Sequence, residues 1–396
     1  MKTCILRNIS FGSMALLMLI LAATTILEEC YGTQFTINKI YHSQWLITLW
    51  VLIVLSAISY ILCISKRKVL ILHHLSLITI LLGAFISFLT SQRGEISLPK
   101  SSIPASMFTT TDGMLEKLPF RIQLEKCDTC YSKKGEQITT YTTHLKTSDI
   151  GKAEKTFTVS LNNPARIEGY TLCIKGISER DVTLLVSYDP FGKPICFSGY
   201  LMTIISFIML FFDKKSGFNS TLAKFQYRIT YKTFLISVCI LILVISRISA
   251  FTGSDSQPIL HTPLLTIHVS TIIIAYSLIG CAAFNSIAAL TNMKNLEKRV
   301  ISGRLLLYPA TILLTTGIFI GAVWAEISWG RYWGWDPKET WALITLLACS
   351  ITFHTRSLPF MAKPIFFHIY CIAVFIIMLF TYFGVNFMLS GLHSYA

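Results

Sequence analysis

The feature that most constrains this chain is a series of apolar runs near the length of about 20 residues that a helix needs to cross a bilayer, most of them closed by lysine and arginine. The runs lie at Met1–Leu27, Trp45–Ile64, Val69–Leu89, Ile195–Phe212, Phe234–Ile245, Leu264–Ala289, Leu305–Trp324, Trp341–Phe353 and Ile365–Phe387. They predict a polytopic α-helical membrane protein with about nine transmembrane helices. With 53% apolar and 14% charged residues in 396 positions, a soluble core would leave too much apolar surface in water. The formal charge of +14 would suggest nucleic acid for a soluble domain. Here the basic residues fill short loops, so no nucleic-acid partner is expected. Lys2 and Arg7 give the first run the form of a signal peptide, but no small-residue cleavage site precedes Glu28 and Glu29, so it reads as a retained span.

Orientation follows from charge. A cytoplasmic N-terminus places Lys66, Arg67 and Lys68, then Lys214, Lys215, Lys224 and Arg228, then Lys294, Lys298, Arg299 and Arg304, then Arg356 and Lys363 in cytoplasmic loops. The far side then receives residues 91–194, the segment 247–263, the stretch after Trp324 and the C-terminal tail. Residues 91–194 are polar, with alternating pieces at Lys155–Leu161, Tyr170–Ile174 and Asp181–Tyr188, and predict a small external β-rich domain. The chain thus divides into 1–90 with three helices, 91–194, a helix and cytoplasmic linker over 195–229, and a membrane domain over 230–396. Cys127 and Cys130 form a C-x-x-C pair in the external part. On an oxidising face such a pair either forms a disulfide, exchanges with another thiol pair or is incidental; Tyr131 rules out the C-x-x-C-H haem-attachment motif.

Trp324, Trp329, Trp333, Trp335 and Trp341, five of seven tryptophans, fall within the single stretch 324–341. Glu326, Arg331, Asp336, Lys338 and Glu339 would be costly at the bilayer centre, and Gly330, Gly334 and Pro337 interrupt a helix, so the stretch is expected at the membrane surface. Two readings stand. One is an interfacial aromatic belt; the other is a site where indoles hold a planar apolar ligand while Arg331 and Lys338 meet its carboxylates.

The histidines sort by depth. His268 lies just inside the outer end of its span and His393 lies in the outer tail, both within reach of the tryptophan stretch. His354 follows Trp341 by thirteen residues, about 20 Å along a helix, which puts it towards the cytoplasmic side. His73 and His74 enter their span from that same side, with His368 a spare candidate there. Imidazoles inside a membrane are candidate haem ligands, two per iron, although the inner group also suits a plain interfacial position. His261 stands near His268, but Pro258 and Pro263 argue against helix before residue 264. His42 and His144 are outer, with no partner legible in sequence.

Trp329-Gly330-Arg331-Tyr332-Trp333-Gly334-Trp335-Asp336-Pro337-Lys338-Glu339-Thr340-Trp341 resembles the tryptophan-rich WWD signature of haem-handling proteins in cytochrome c biogenesis. His354-Thr355-Arg356, and the ending from Tyr382-Phe383-Gly384 to Gly391-Leu392-His393, resemble the System II member of that group. Residues 1 to about 212, including Tyr188-Asp189-Pro190-Phe191-Gly192, resemble its ResB-like partner with a shortened external domain. The whole is similar to a fused System II cytochrome c synthase of the bacterial cytoplasmic membrane, with the WWD segment on the periplasmic side. That resemblance implies export of haem b and its covalent attachment to the C-x-x-C-H cysteines of apocytochrome c. It implies His268 and His393 as outer axial ligands, and His354 with His74 as the membrane pair, His73 being the alternative to His74. Trp324, Trp329, Arg331, Trp333, Trp335, Asp336, Lys338 and Trp341 would hold the ring. No residue is assigned as acid or base. An external thiol reductant is implied, and a separate ResB-like or accessory protein would replace the missing surface. The competing readings are a haem exporter or chaperone without attachment activity, and a bis-histidine membrane electron carrier.

Overall fold

A computed structural model describes residues 2–64, 67–101, 103–131, 138–148, 154–160, 162–225 and 262–389. The long helices are α1 (Lys2–Tyr31), α2 (Gln44–Ile64), α3 (Lys68–Thr90), α4 (Gly192–Phe212), the short α5 (Gly217–Ala223), α6 (Pro263–Asn292), α7 (Leu296–Trp329), α8 (Pro337–Ile351) and α9 (Pro364–Leu379). Seven of the described helical segments are long and apolar enough to cross a membrane. The chain is a polytopic membrane protein. α8 has 15 residues, about 22 Å, which falls short of a hydrocarbon core of about 30 Å. The run Phe234–Ile245 lies outside the described residues.

One expectation is corrected by the course of α7. The irregular stretch was expected to begin at Trp324, yet the helix continues to Trp329, because 324–329 holds neither glycine nor proline. Gly330 ends it with φ of 68°, a left-handed cap that favours glycine. At 34 residues, about 51 Å, α7 outruns the bilayer and carries Trp324 and Trp329 towards the face where the strands stand.

Between α3 and α4 the chain forms one antiparallel sheet: β1 (Gln92–Pro99), β2 (Ala105–Thr110), β3 (Leu115–Tyr131), β4 (Ile138–Ser148), β5 (Lys155–Ser160), β6 (Ala165–Ile167), β7 (Tyr170–Ile177) and β8 (Asp181–Tyr188). The order is β5-β4-β3-β2-β1-β8-β7-β6, so β5 and β6 sit at opposite ends of the ladder yet are joined by four residues. Seven strand intervals laid flat would span about 34 Å, whereas five peptide steps reach about 18 Å. The sheet therefore curls back on itself, and the bridge from Ser160 to Asn163 closes the turn. Its concave face buries one core containing Ile96, Phe108, Ile122, Leu145, Leu172 and Leu184.

Cys127 and Cys130 lie on β3 in continuous register with Thr143 and Thr140. Three residues of extended chain separate their Cα atoms by about 10 Å, beyond the roughly 7 Å a disulfide tolerates. Burial also pushes the Cys127 thiol up, away from the reactive thiolate. The extended backbone of β3 therefore holds the two cysteines too far apart to bridge each other, which removes the mutual disulfide from the readings the sequence left open.

In the membrane, α3 and α4 pack through small residues, Ser76, Gly83 and Ser87 against Gly192, Cys196 and Thr203. The helices α6, α7, α8 and α9 share a second core around Ile279, Leu307, Ala348 and Phe367. α1 packs on both α2 and α8, Leu17 and Leu21 sharing a core with Leu46 and Ile344.

Candidate functional site

Residues 330–336 form a tight loop between α7 and α8 at the base of the sheet. Asp336 caps α8: its carboxylate accepts from the Lys338 amide at 2.9 Å, and Glu339 closes a capping box by accepting from the Asp336 amide at 3.3 Å. Glu339 also accepts from the Gly334 amide at 2.8 Å, and Trp335 takes a φ of 58°. The signature Trp-Asp-Pro-Lys-Glu therefore encodes a helix start that holds two indoles in a strained loop. Trp333 and Trp335 meet edge to face at 5.7 Å between centroids.

The walls come from elsewhere in the chain. Tyr41 stacks on Trp335 at 4.6 Å and 13°. Trp341 donates its Nε1–H to Thr25 at 3.0 Å and packs on Phe380. Lys338 donates to Asn386 at 2.7 Å. Trp324 and Trp329 form a separate pair at 4.9 Å behind Leu265, on the other side of the loop, and the buried Trp324 Nε1 has no hydrogen-bond partner among the described residues. The five indoles are thus two groups. Sequence reasoning missed Tyr41, Thr25 and Phe380, since nothing local marks them and they come from three separate segments of the chain.

The sheet is anchored to this loop by polar contacts. Tyr332 donates to Ser87 Oγ at 2.7 Å, and Ser87 in turn donates to Asp189, whose other oxygen accepts from the Gly192 amide at 3.0 Å. Lys193 pairs with Glu326, which is 3% exposed. Breaking such a pair strands a buried carboxylate at a cost of roughly 3–5 kcal/mol. Lys193→Met is therefore expected to lower the melting temperature in detergent sharply, while the double variant Lys193→Met, Glu326→Gln recovers most of the loss; equal melting of the two would contradict a buried pair.

Three of the candidate histidines hold Nδ1 against a backbone carbonyl. His268 donates Nδ1–H to the Gly317 carbonyl at 2.7 Å, His74 to the Leu70 carbonyl at 2.8 Å and His354 to the Ser350 carbonyl at 2.9 Å. Carbonyls only accept, so the proton sits on Nδ1 and the lone pair on Nε2, the arrangement common in metal-ligating histidines. The His74 and His354 rings stand 6.3 Å apart between centroids. One metal between two imidazoles needs about 2 Å per bond plus about 1 Å per ring to its centre, a similar span. His73 instead contacts Ser206 at 2.9 Å and Phe207. His368 is fully buried with both nitrogens engaged, by Ser286 at 3.0 Å and Leu296 at 3.3 Å, which makes it a packing residue. His393 and His261 lie outside the described residues. His144 pairs with Asp128 on the sheet, and His42 rests on Phe88.

Known proteins share both halves. The family described as Cytochrome C assembly protein matches residues 194–393, just over half of the chain. The chain belongs to the cytochrome c assembly family. The ResB-like family matches residues 66–192, so both modules of the pathway are joined in one polypeptide. Protein NrfI of Wolinella succinogenes is 40% identical over 150 residues, 35% of this chain and 17% of that protein. Cytochrome c biogenesis protein CcsA of Chlamydomonas reinhardtii is 38% identical over 162 residues, 36% of this chain and 43% of that protein. The CcsA of Oenothera argillicola is 51% identical over 84 residues, 21% of this chain and 26% of that protein. The chain therefore spans less than half the length of these relatives. Residues 1–65 fall outside both family matches, yet they supply Thr25 and Tyr41 to the tryptophan loop.

Proposed function

We propose that this chain is a fused System II cytochrome c synthase, which moves haem b from the cytoplasmic side of a bacterial cytoplasmic membrane to its outer face and attaches it to apocytochrome c. The reading is supported by His74 and His354 standing ring to ring, and by His268 elsewhere in the bundle, each donating Nδ1–H to a backbone carbonyl so that the neutral ring keeps its lone pair on Nε2. His74 and His354 are the inner axial pair; His268 serves the outer station with His393. Trp333 and Trp335 orient the ring there, with Tyr41 behind them. Among the described residues no three His, Cys, Asp or Glu gather as a cation site, and two imidazoles suit a metal whose equatorial plane is already filled.

In the proposed reaction each thiol of a C-x-x-C-H segment adds across a haem vinyl group. A C–S bond forms at the inner vinyl carbon, the thiol proton ends on the terminal carbon, and no electrons are gained or lost. The protein's part is to hold ring and peptide in register, which can supply much of the rate. The thiols must arrive reduced, which requires an external thiol reductant. An exporter without attachment activity uses the same two stations.

The reading is tested on detergent-purified protein from haem-replete cells by its reduced optical spectrum. Bis-histidine haem bands are expected from the wild type. Protein that carries no haem under these conditions removes the basis of the proposal.

A further inference from the structure

The seam between the curled sheet and the tryptophan loop brings Arg93 within electrostatic range of Arg331. Arg93 on β1 stands opposite Ser187 on β8, so both side chains leave the same face of the sheet. That face touches the loop: a Cβ built on Gly330 would lie 3.3 Å from Ser187 Cβ and 3.5 Å from Cys173 Sγ, and Arg331 is the next residue. Arg93 Nε and Ser187 Oγ are both buried with no hydrogen-bond partner. Among the described residues neither Arg93 nor Arg331 has an acid within ion-pair distance. Glu326 pairs with Lys193 and also lies in the field of Arg93 and Arg166, while Glu339, held in the capping box, and Asp336 lie in the field of Arg331. Two half-buried guanidinium groups without a direct ion-pair partner are costly to assemble, and Arg is suited to bind a carboxylate through paired hydrogen bonds.

We infer that the ResB-like sheet completes the outer haem station, Arg93 joining Arg331 to bind the haem propionates at the seam. The inference rests on the haem reading above and assigns the sheet a direct part in it. Seating the propionates there fixes which edge of the ring is held by the protein and leaves the vinyl edge for the thiols of the incoming chain.

The test uses the full chain in a His74→Ala, His354→Ala background, so that only the outer station binds, titrated with haem and with haem dimethyl ester. A preference for haem over its ester of about tenfold or more is expected. Arg93→Gln should abolish that preference while leaving ester affinity unchanged, and Arg93→Lys should restore part of it. An unchanged preference in Arg93→Gln overturns the inference, and would leave the seam to another anion such as a lipid phosphate. Equal loss of both ligands also overturns it, since that marks a folding role. Binding of neither ligand by the parent protein would instead defeat the haem reading itself.

Discussion

Replacing His354 by alanine is expected to cut haem recovered with the purified protein about tenfold or more, with partial recovery when imidazole is supplied in the medium. His354 follows the last turn of α8, with its Nδ1–H on the Ser350 carbonyl and its ring 5.4 Å from Phe11, so packing and hydrogen bonding both fix the imidazole. Its ring faces that of His74 at 6.3 Å. Loss of either should therefore leave iron with one axial ligand at the inner station. His73→Ala provides the contrast. Its ring lies 4.9 Å from Phe207 and its Nδ1 is 2.9 Å from Ser206, so this substitution should leave the haem spectrum close to that of the wild type. If His73→Ala loses haem while His74→Ala keeps it, the assignment of the pair is wrong.

Gly321→Leu is expected to disable the outer station as completely as His268→Ala, although residue 321 has no ligating atom. A Cβ at this position would stand 2.6 Å from His268 Cε1 and 2.7 Å from Nδ1. The imidazole would have to leave its bond to the Gly317 carbonyl, losing both tautomer and aim. Overpacking of this kind costs about 1–3 kcal/mol in stability, and a displacement of about 1 Å in a positioned group can cost about a hundredfold in rate. The inner pair should keep its spectrum, because His74 lies on α3 and His354 just beyond the end of α8. Normal haem attachment by Gly321→Leu would show that His268 is not needed where the structure holds it.

The spans and the strands were legible because they rest on local signals. Apolar length marks a helix in lipid, and alternation marked pieces such as Asp181–Tyr188, whose Val182, Leu184 and Val186 do enter the sheet core. The tryptophan stretch was legible as a loop only in part. Gly330 and Pro337 marked its true ends, while Trp324 and Trp329 were grouped with it by composition although they belong to a helix. What sequence could not give was the long-range assembly. Tyr41 is separated from Trp335 by most of the chain, and Arg93 comes within electrostatic range of Arg331 only through the fold of the sheet. The Cys127 and Cys130 spacing left a mutual disulfide open, and the extended backbone of β3 does not allow it.

The central claim is that one chain both carries haem and joins it to its acceptor. The most direct measurement is the mass and reduced spectrum of an apocytochrome bearing one C-x-x-C-H segment, co-expressed with this chain in cells that lack other haem-attachment systems. The account predicts an acceptor heavier by one haem, with colour that persists after denaturation, and loss of both with Gly321→Leu. A haem-loaded membrane protein beside an unmodified acceptor with reduced thiols would contradict the account and reassign the chain to export alone.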